Sequence, residues 1–540
     1  YHLPALLDGI DVPYVVICEP IDEFVLASLH AIDWQEMVER CDSRGTAVHL
    51  VCAPNPAGLI CGIGILFADI GGALVDGSYF YQHYPSWTLD ETKRRFINEL
   101  PKQMIGRGYF EDERKMIWNT ATNLHRHEFH LIEGKFRPRG NIPVFLIGAG
   151  PSFDQDAEFV EKWREHVILF SSGSALQPLL KRGIIPDYHT ELENSPILYE
   201  KLKHIMAMNA DRFPEGKFTG IRLVASTTIN PRLTEFFDDI YFYFRDSVTS
   251  TTSFGRDYEC IYGVAPTVAN TSLAIAAILG FGDTYMFGFD CGWRDGANHH
   301  AKDTIWYTSD TFKTQKMSGD YTIPGNFGGE FQSDMVFDWC RNLLEEVISQ
   351  YRVKAYNCSD GVMLTGATPK VAEAIELPGP PIDRAAVLEK IQNETLHFKK
   401  GAFFADVDMA TYVEEIDEFE RLVMPLFDQA LEEDLTFHQF HERLWTFLKE
   451  PRFHSARRLT GLFVFTTGNE MKLAAVLINR IASPEVRQKV TRDFFRDYKI
   501  MHDEMIKEGR TIIAEATTMF AGGPEPWWTA GLPTTPGTSY

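Results

Sequence analysis

The sequence predicts an α/β protein in three parts. These are a Rossmann-like central domain, an N-terminal α/β domain before it and an all-helical C-terminal domain after it. A chain of 540 residues is too long for one ordinary core. Short apolar segments alternate with helical segments in the central part, and the strand signal mostly disappears after Pro381. We place the domains at residues 1–135, 136–378 and 379–521, followed by a tail at residues 522–540 that is rich in Pro, Gly and Thr.

The composition excludes several classes of function. Hydrophobic residues make up 44% and charged residues 24% of the chain, as in soluble globular proteins. The sequence contains no run of about 18 apolar residues, so no transmembrane segment is predicted. The net charge of −23 repels phosphate backbones, so we expect no nucleic-acid partner. The eight cysteines form no CxxC pair, which argues against a zinc site or disulfide framework and favours the cytoplasm.

In the N-terminal part, Val15–Cys18 and Ala47–Cys52 are predicted strands. Leu59–Phe67 is apolar and is interpreted as a buried strand loosened by its glycines, and residues 93–132 are predicted to be largely helical. In the central part, buried strands at Val144–Ile147 and Val167–Phe170 are each followed by a turn and a helix. Further strands are predicted at Arg222–Ala225, Ile240–Phe244, Thr284–Gly288 and Val353–Tyr356. This alternation indicates a parallel sheet, in which ligands bind beyond the carboxyl ends of the strands.

The loop after the first central strand, Gly148–Ser152, is the first candidate site. A strand that enters Gly-x-Gly and then a helix presents backbone N–H groups to an anion, and glycine allows close approach of a phosphate. The third glycine of a dinucleotide fingerprint is missing, and no Gly-Lys-Ser/Thr of a Walker loop follows. The residues alone leave a phosphate site and a merely tight turn equally open.

Ionisable residues follow other strands of the predicted sheet. His189, Glu191 and Glu193 alternate, so they share one face of a strand, where a carboxylate could bind a ribose or act as a base. The alternative is that these three side chains face solvent on an edge strand and have no function. Asp290 directly follows the strand that ends MFGF, again at a carboxyl end.

The polar segment Gly292–Thr304 carries His299 and His300, which are candidates for the base or for a phosphate donor. A neutral histidine suits a base near pH 7 because its unperturbed pKa is about 6.5. The alternative is a solvated surface turn. No third metal ligand stands at a telling spacing, so no metal is predicted. Asn270 opens a predicted helix and Asn357 follows a strand; each could bind the ligand or cap the local backbone.

An ordered set of segments resembles the Maf (motility accessory factor) family. The segments are FLIGAGPSFD at Phe145–Asp154, SGSAL at Ser172–Leu176, GIIPD at Gly183–Asp187, the stretch Thr267–Asp290 that ends MFGFD, Gly328–Glu330 and NCSDG at Asn357–Gly361. The resemblance covers about residues 135–375 and implies a sialyltransferase-like core. It implies transfer of pseudaminic, legionaminic or a related nonulosonic acid from its CMP derivative to Ser or Thr of flagellin, in support of flagellum assembly and motility.

Such a transfer needs donors to the CMP phosphate, a base for the acceptor hydroxyl and stabilisation of an oxocarbenium-like sugar. No tightly bound cofactor is expected. The expected catalytic residues are His299, His300, Glu191 and Asp290. The expected nucleotide-sugar contacts are Gly148, Gly150, Ser152, Ser172, Gly173, Ser174, Glu193, Asn270 and Asn357.

Two other functions remain open from the sequence. One is a diphosphokinase acting on a pterin, since the core also resembles archaeal pterin diphosphokinases; this would need Mg²⁺ and carboxylate ligands. The other is a flagellin-binding factor without activity. The helical C-terminal part is interpreted as a surface that helps to capture flagellin, with a scaffold or dimerisation role as the alternative.

Overall fold

The structure is a computed structural model. It describes residues 3–10, 12–70, 78–104, 108–294, 298–309, 312, 319, 321–448 and 458–523. The chain divides into two compact units. The first unit contains Tyr1–Tyr109, Glu420–His454 and Phe463–Asp503, and the second contains Phe110–Phe419, Ser455–Leu462 and Glu504–Tyr540. This division differs from the predicted domain boundaries, because the segment after Phe110 belongs to the central sheet and much of the helical C-terminal part belongs to the first unit.

The described strands and helices are as follows. The strands are β1 (Tyr14–Glu19), β2 (Ala47–Cys52), β3 (Phe129–Leu131), β4 (Val144–Ile147), β5 (Ile168–Ser172), β6 (Tyr188–Glu191), β7 (Arg222–Ser226), β8 (Ile240–Tyr243), β9 (Thr284–Phe287), β10 (Tyr321–Pro324), β11 (Glu330–Ser333), β12 (Ala355–Asn357), β13 (Thr368–Pro369) and β14 (Leu396–Phe398). The helices are α1 (Leu3–Asp8), α2 (Asp22–Ser28), α3 (Trp34–Asp42), α4 (Pro56–Ile70), α5 (Trp87–Met104), α6 (Phe110–Arg126), α7 (Phe153–Lys162), α8 (Leu176–Lys181), α9 (Ile197–Met208), α10 (Thr249–Phe254), α11 (Val268–Ile278), α12 (Ile305–Thr308), α13 (Met335–Gln350), α14 (Arg384–Asn393), α15 (Ala410–Glu432), α16 (Phe437–Leu448), α17 (Thr460–Ile478) and α18 (Pro484–Phe520).

The second unit is built on a sheet of ten described strands in the order β13-β12-β9-β4-β5-β6-β7-β8-β3-β14. All neighbours are parallel except β14, which runs antiparallel to β3. The chain winds from β4 through β5 to β8 on one side and returns to β9 on the other. A doubly wound sheet opens a crevice at such a reversal, beyond the carboxyl ends of the strands. The predicted fold class is confirmed.

Alternate residues of β4 face opposite layers of the core. Phe145 and Ile147 pack in one buried cluster and Val144 and Leu146 in another. Helix α11 lies in the second cluster and is buried along nearly its whole length, because its sequence VANTSLAIAAI is apolar on most sides. The sheet is therefore covered on both faces, and the site must lie at a strand end.

The first unit contains the parallel pair β1 and β2, at the two strands predicted for this part. The apolar segment Leu59–Phe67 was predicted as a strand, and this was wrong: it lies inside α4. The sequence analysis overlooked the helix-start signal Asn55-Pro56. The Asn55 side chain accepts the Gly58 N–H at 2.9 Å, and Pro56 fills the first helical position.

Two strands also replace predicted helix. Phe129–Leu131 and Leu396–Phe398 extend the sheet by pairing with β8 and with each other. These partners lie more than 100 residues away along the chain, so local propensity could not show the pairing. Residues 524–540 of the predicted tail lie outside the described residues.

One described helical segment, Gly461–Ile478, is long and apolar enough by composition to cross a bilayer. This departs from the expectation of no such segment. Half of it is buried within the protein, and the core helix of a folded domain meets the same criteria, so it is weak evidence for a membrane span.

Candidate active site

The glycine-rich loop after β4 packs against the end of β9. The two strands pair in register up to Ile147 and Phe287, so their following loops meet. The Gly148 and Gly150 N–H groups donate to the carbonyls of Phe287 and Gly288. The Ser152 N–H donates to Asp290 Oδ2 at 3.0 Å. The amides expected to cradle a phosphate are thus largely used within the protein.

Packing explains why both glycines are needed. A Cβ on Gly148 would lie 2.3 Å from the Gly288 carbonyl oxygen. A Cβ on Gly150 would lie 2.5 Å from Asp290 Cγ and 2.6 Å from the Gly288 carbonyl oxygen. These distances are far below van der Waals contact. The requirement for glycine here comes from the neighbouring strand end and needs no ligand to account for it.

Asp290 holds this loop in place. Its carboxylate accepts the Ser152 N–H and the Ser152 hydroxyl, the latter at 2.5 Å, and the residue is 3% exposed. Burial raises the pKa of Asp290 to about 7, although the bonds from Ser152 act to lower it. Asp290 was expected to be catalytic, but both of its oxygens are occupied and it is buried against Gly150. Its observed contacts fit a positioning role.

Three further residues that were expected to contact the nucleotide sugar have side chains that form hydrogen bonds within the protein. Asn270 forms a capping box with Thr267 and donates to the Cys340 carbonyl at 3.0 Å. Asn357 accepts the Ser359 N–H at 3.1 Å. The Ser172 hydroxyl bonds to the Ser272 hydroxyl at 2.7 Å. The capping alternatives for the two asparagines therefore account for their side chains.

A buried line of hydrogen bonds runs along the ends of β5 and β6. His189 Nδ1 lies 2.7 Å from Ser171 Oγ, and His189 Nε2 lies 3.1 Å from Glu191 Oε1. All three residues are at most 3% exposed. The order Ser-His-carboxylate looks like a nucleophilic triad, but the buried hydroxyl offers no approach to a protein acceptor. We interpret the line as support for the strand ends, with Glu191 fixed by His189.

Beyond this line, α9 contributes a buried lysine that the sequence analysis did not identify. Lys201 is 9% exposed, and its ammonium lies 3.7 Å from the centroid of the Trp306 ring. Trp306 donates its indole N–H to Ser174 Oγ at 3.1 Å. Burial lowers the pKa of Lys201 to about 8, while Glu191 and Glu193 act to raise it. Lysine, tryptophan and serine thus lie together beside β5 and β6.

The two predicted histidines join the same group. His300 stacks on Trp306 with ring centroids 5.8 Å apart and contacts His299 at 4.6 Å. Burial lowers the pKa of His300 to about 3, with smaller contributions from His299 and Lys201. Burial also lowers the pKa of His299. Both imidazoles are neutral at physiological pH, and His300 is a much weaker base than an ordinary histidine.

Glu193 lies at the mouth of this group. The residue is exposed to solvent, yet desolvation raises the pKa of its carboxyl, with Arg245 and Lys201 acting to lower it. A side chain that solvent reaches but protein atoms closely surround lies in a cleft. Arg245, which follows β8, was also not identified from the sequence. Its guanidinium donates to Met116 Sδ at 2.8 Å, and its buried Nε has no hydrogen-bond partner among the residues that the structure describes.

The structure therefore places the predicted residues, together with Lys201 and Arg245, in two sets. The glycine-rich side comprises Gly148–Ser152, Asp290 and Asn357. The cationic side comprises Glu193, Lys201, Arg245, His299 and His300. Lys201 could have been found from the sequence, because it falls on the apolar face of α9 with Leu202 and Ile205. Arg245 carries no local signal beyond its place after a strand.

No ligand set for a metal ion is found in the part of the chain that the structure describes. None of its groups of His, Cys, Asp and Glu brings three or more members close enough to hold a cation.

Comparison with known proteins agrees with this architecture. Residues 1–105 match the family described as the glycosyltransferase Maf N-terminal domain. Residues 114–296 match the family described as 6-hydroxymethylpterin diphosphokinase MptE-like. A solved structure of a Maf glycosyltransferase from Magnetospirillum magneticum AMB-1 is similar to the chain at a TM-score of 0.74 and 24% identity. The similarity covers 97% of this chain and 78% of that one. No curated protein matches.

The match of residues 1–105 to a glycosyltransferase domain, ahead of a Rossmann-like sheet, supports the class of glycosyltransferase. Residues 1–105 thus carry a Maf N-terminal glycosyltransferase domain, and the resemblance stated from the motifs is confirmed.

Proposed function

We propose that this protein transfers a nonulosonic acid of the pseudaminic or legionaminic type from its CMP derivative to Ser or Thr hydroxyls of flagellin. It would act in the cytoplasm and serve flagellum assembly and motility. The observation that carries the proposal is the match of residues 1–105 to the Maf N-terminal domain. The cationic side supports an anionic donor, because it places Lys201 and Arg245 at the sheet edge of a chain with net charge −23.

The chain's own residues would share three tasks. The donor's nucleotide would lie at the reversal between β4 and β9, beside Ala149 and Ser174. Lys201 and the Trp306 ring would position the sugar, and Glu193 or His299 would accept the proton of the acceptor hydroxyl. No metal is required, since a single-phosphate donor leaves as CMP without a diphosphate to be neutralised.

Mass spectrometry of flagellin tests the proposal. Purified flagellin incubated with the full chain, CMP-pseudaminic or CMP-legionaminic acid and a chelator should gain the mass of one or more sugar residues on Ser or Thr. The same reaction without the CMP-sugar is the control. Unchanged flagellin with every CMP-nonulosonate, together with unmodified flagellin in the producing cells, would overturn the proposal.

The MptE-like match of residues 114–296 favours a second candidate, diphosphate transfer from ATP to a hydroxymethylpterin. That reaction needs Mg²⁺ and carboxylates to hold it. Formation of AMP from ATP and 6-hydroxymethylpterin, dependent on Mg²⁺, would support it. We expect no AMP.

A further inference from the structure

Two cations on the cationic side have no ion-pair partner. Among the described residues, neither Lys201 nor Arg245 forms an ion pair with a carboxylate. The chain contains 75 acidic and 52 basic residues, so acidic partners are plentiful. Other arginines near this sheet, such as Arg164 and Arg182, do pair, with Asp187 and Asp154. Other described cations, such as Arg139 and Arg232, also lack an ion pair, but Lys201 is the one described lysine or arginine that is as little as 9% exposed, so its charge calls for a reason.

Their burial makes the lack of partners costly. Lys201 is 9% exposed, and the Nε of Arg245 is buried without a hydrogen-bond partner in the described part of the chain. A buried charge without an ion-pair partner loses its hydration, and the Trp306 ring, Glu191 and Glu193 offset that loss only in part, since burial still lowers the pKa of Lys201 to about 8. The thioether of Met116 is a weak acceptor for a guanidinium. A bound anion would supply the missing acceptors.

Both cations also act on the same cleft residue. Arg245 and Lys201 each favour the ionised form of Glu193, which solvent reaches. Arg245 follows β8, and Lys201 lies on α9, the helix after β6; a single strand, β7, separates β6 from β8 in the sheet. An anion between them would lie next to Glu193. Glu113, the other carboxylate that acts on Arg245, is buried and accepts the Thr249 N–H at 2.7 Å.

We propose that Lys201 and Arg245 bind the carboxylate of the donor sugar and so fix the carbon at which transfer occurs. This inference rests on the proposed function. Nonulosonic acids carry the carboxylate on the anomeric carbon itself, so a site that holds the carboxylate also places that carbon. Glu193 then lies beside the carbon that the acceptor hydroxyl attacks. The position also suits the sugar better than the phosphate, because β8 is four strands from β4, about 19 Å.

Calorimetric titration of the full chain with three probes tests the site. The probes are CMP, free N-acetylneuraminate and CMP-N-acetylneuraminate. The variants are R245M and K201M, with R245K to keep the charge but remove the planar fork. K217M is the matched control, because Lys217 is exposed and pairs with Asp238 at the amino end of β7 and β8. Thermal unfolding checks that each variant is folded.

We expect R245M and K201M each to weaken binding of CMP-N-acetylneuraminate by about 10- to 100-fold, the usual cost of a hydrogen bond to a charged group. R245M should change CMP affinity by less than about 2-fold, since its contact is with the carboxylate. The affinity of R245K for CMP-N-acetylneuraminate should lie between those of the unsubstituted chain and R245M. K217M should bind all three probes as the unsubstituted chain does. If R245M does not fold, R245K and K201M carry the test.

Two results would overturn the site. Unchanged affinity for the sugar conjugate in R245M or R245K and in K201M would show that the cations do not bind the donor. If the variants lost affinity for CMP and for its conjugate equally, Lys201 and Arg245 would bind the phosphate and not the sugar carboxylate. If the unsubstituted chain bound neither CMP nor its conjugate, the proposed function would fail instead. Free N-acetylneuraminate would then decide the site alone, because its binding must still disappear in R245M.

Discussion

The glycine-rich side and the cationic side occupy one edge of one sheet, yet they differ in how their polar groups are used. On the glycine-rich side, Ser152 and Asp290 bond to each other, and the loop amides bond to the end of β9. On the cationic side, Lys201 and Arg245 have no ion pair among the described residues. Saturated groups hold a framework, whereas buried groups without acceptors are prepared for a ligand. The stronger sequence motif thus marks the framework.

The largest effect is expected from the base. Glu193→Gln should slow transfer by a factor of about 10²–10⁴, the usual cost of removing a general base. The affinity for the donor should change little. Desolvation raises the pKa of the Glu193 carboxyl, which makes it a stronger base, and Arg245 and Lys201 keep it ionised. His300→Ala should cost about 10-fold or less, because a histidine with a pKa of about 3 accepts a proton poorly. Transfer to purified flagellin at saturating donor measures both.

Glu235→Gln is the matched control for this comparison, because Glu235 is exposed and lies in the same unit. It should transfer at the normal rate. His299→Ala is the decisive rival, since the pKa of His299 is lowered less severely by its surroundings. A loss of 10²–10⁴ in His299→Ala with near-normal turnover in Glu193→Gln would assign the base to the histidine.

The glycine-rich side should respond through folding. Gly150→Ala should lower the free energy of unfolding by about 1–3 kcal/mol, because the added Cβ would overlap Asp290 and the Gly288 carbonyl. Gly140→Ala is the control: its Cβ would meet only the Gly280 carbonyl oxygen at 3.5 Å, an ordinary contact. Denaturant unfolding followed by circular dichroism measures both. An unchanged midpoint for Gly150→Ala would mean that the loop relaxes and that glycine is kept there for a ligand.

The sequence predicted the framework better than the site. Apolar runs ending in Gly148 and Asp290 located two adjacent strand ends, because buried parallel strands leave a clear signal. It could not show that Ser152 and Asp290 bond to each other, since 138 residues separate them. Nor could it show that Arg245 forms no ion pair among the described residues, because the absence of a contact depends on every surrounding element. The strands β3 and β14 were not predicted either, because their pairing partners are distant in the sequence.

The smallest effect concerns Asp290 and the pH dependence of stability. Burial raises its pKa in the folded protein to about 7, from an ordinary value of 3.8. Between about pH 4 and 7 the unfolded chain has therefore lost this proton while the folded chain keeps it. The folded state binds more protons, so its stability from this group is full below about pH 4 and is lost as pH rises towards 7.

Asp290→Asn should remove this loss. An amide has no proton to release, and it can still accept the Ser152 N–H while donating to the Ser152 hydroxyl. We expect the variant to gain about 1–2 kcal/mol relative to the unsubstituted protein between pH 5 and 8, measured by denaturant unfolding at each pH. Asp238→Asn, an exposed carboxylate, should leave the difference near zero. If Asp290 acts by positioning the loop, as its bonds to Ser152 indicate, the variant should also transfer sugar at close to the normal rate. A loss of 10²-fold or more in a stable Asp290→Asn protein would instead place its carboxylate in the chemistry and give the glycine-rich side a catalytic role.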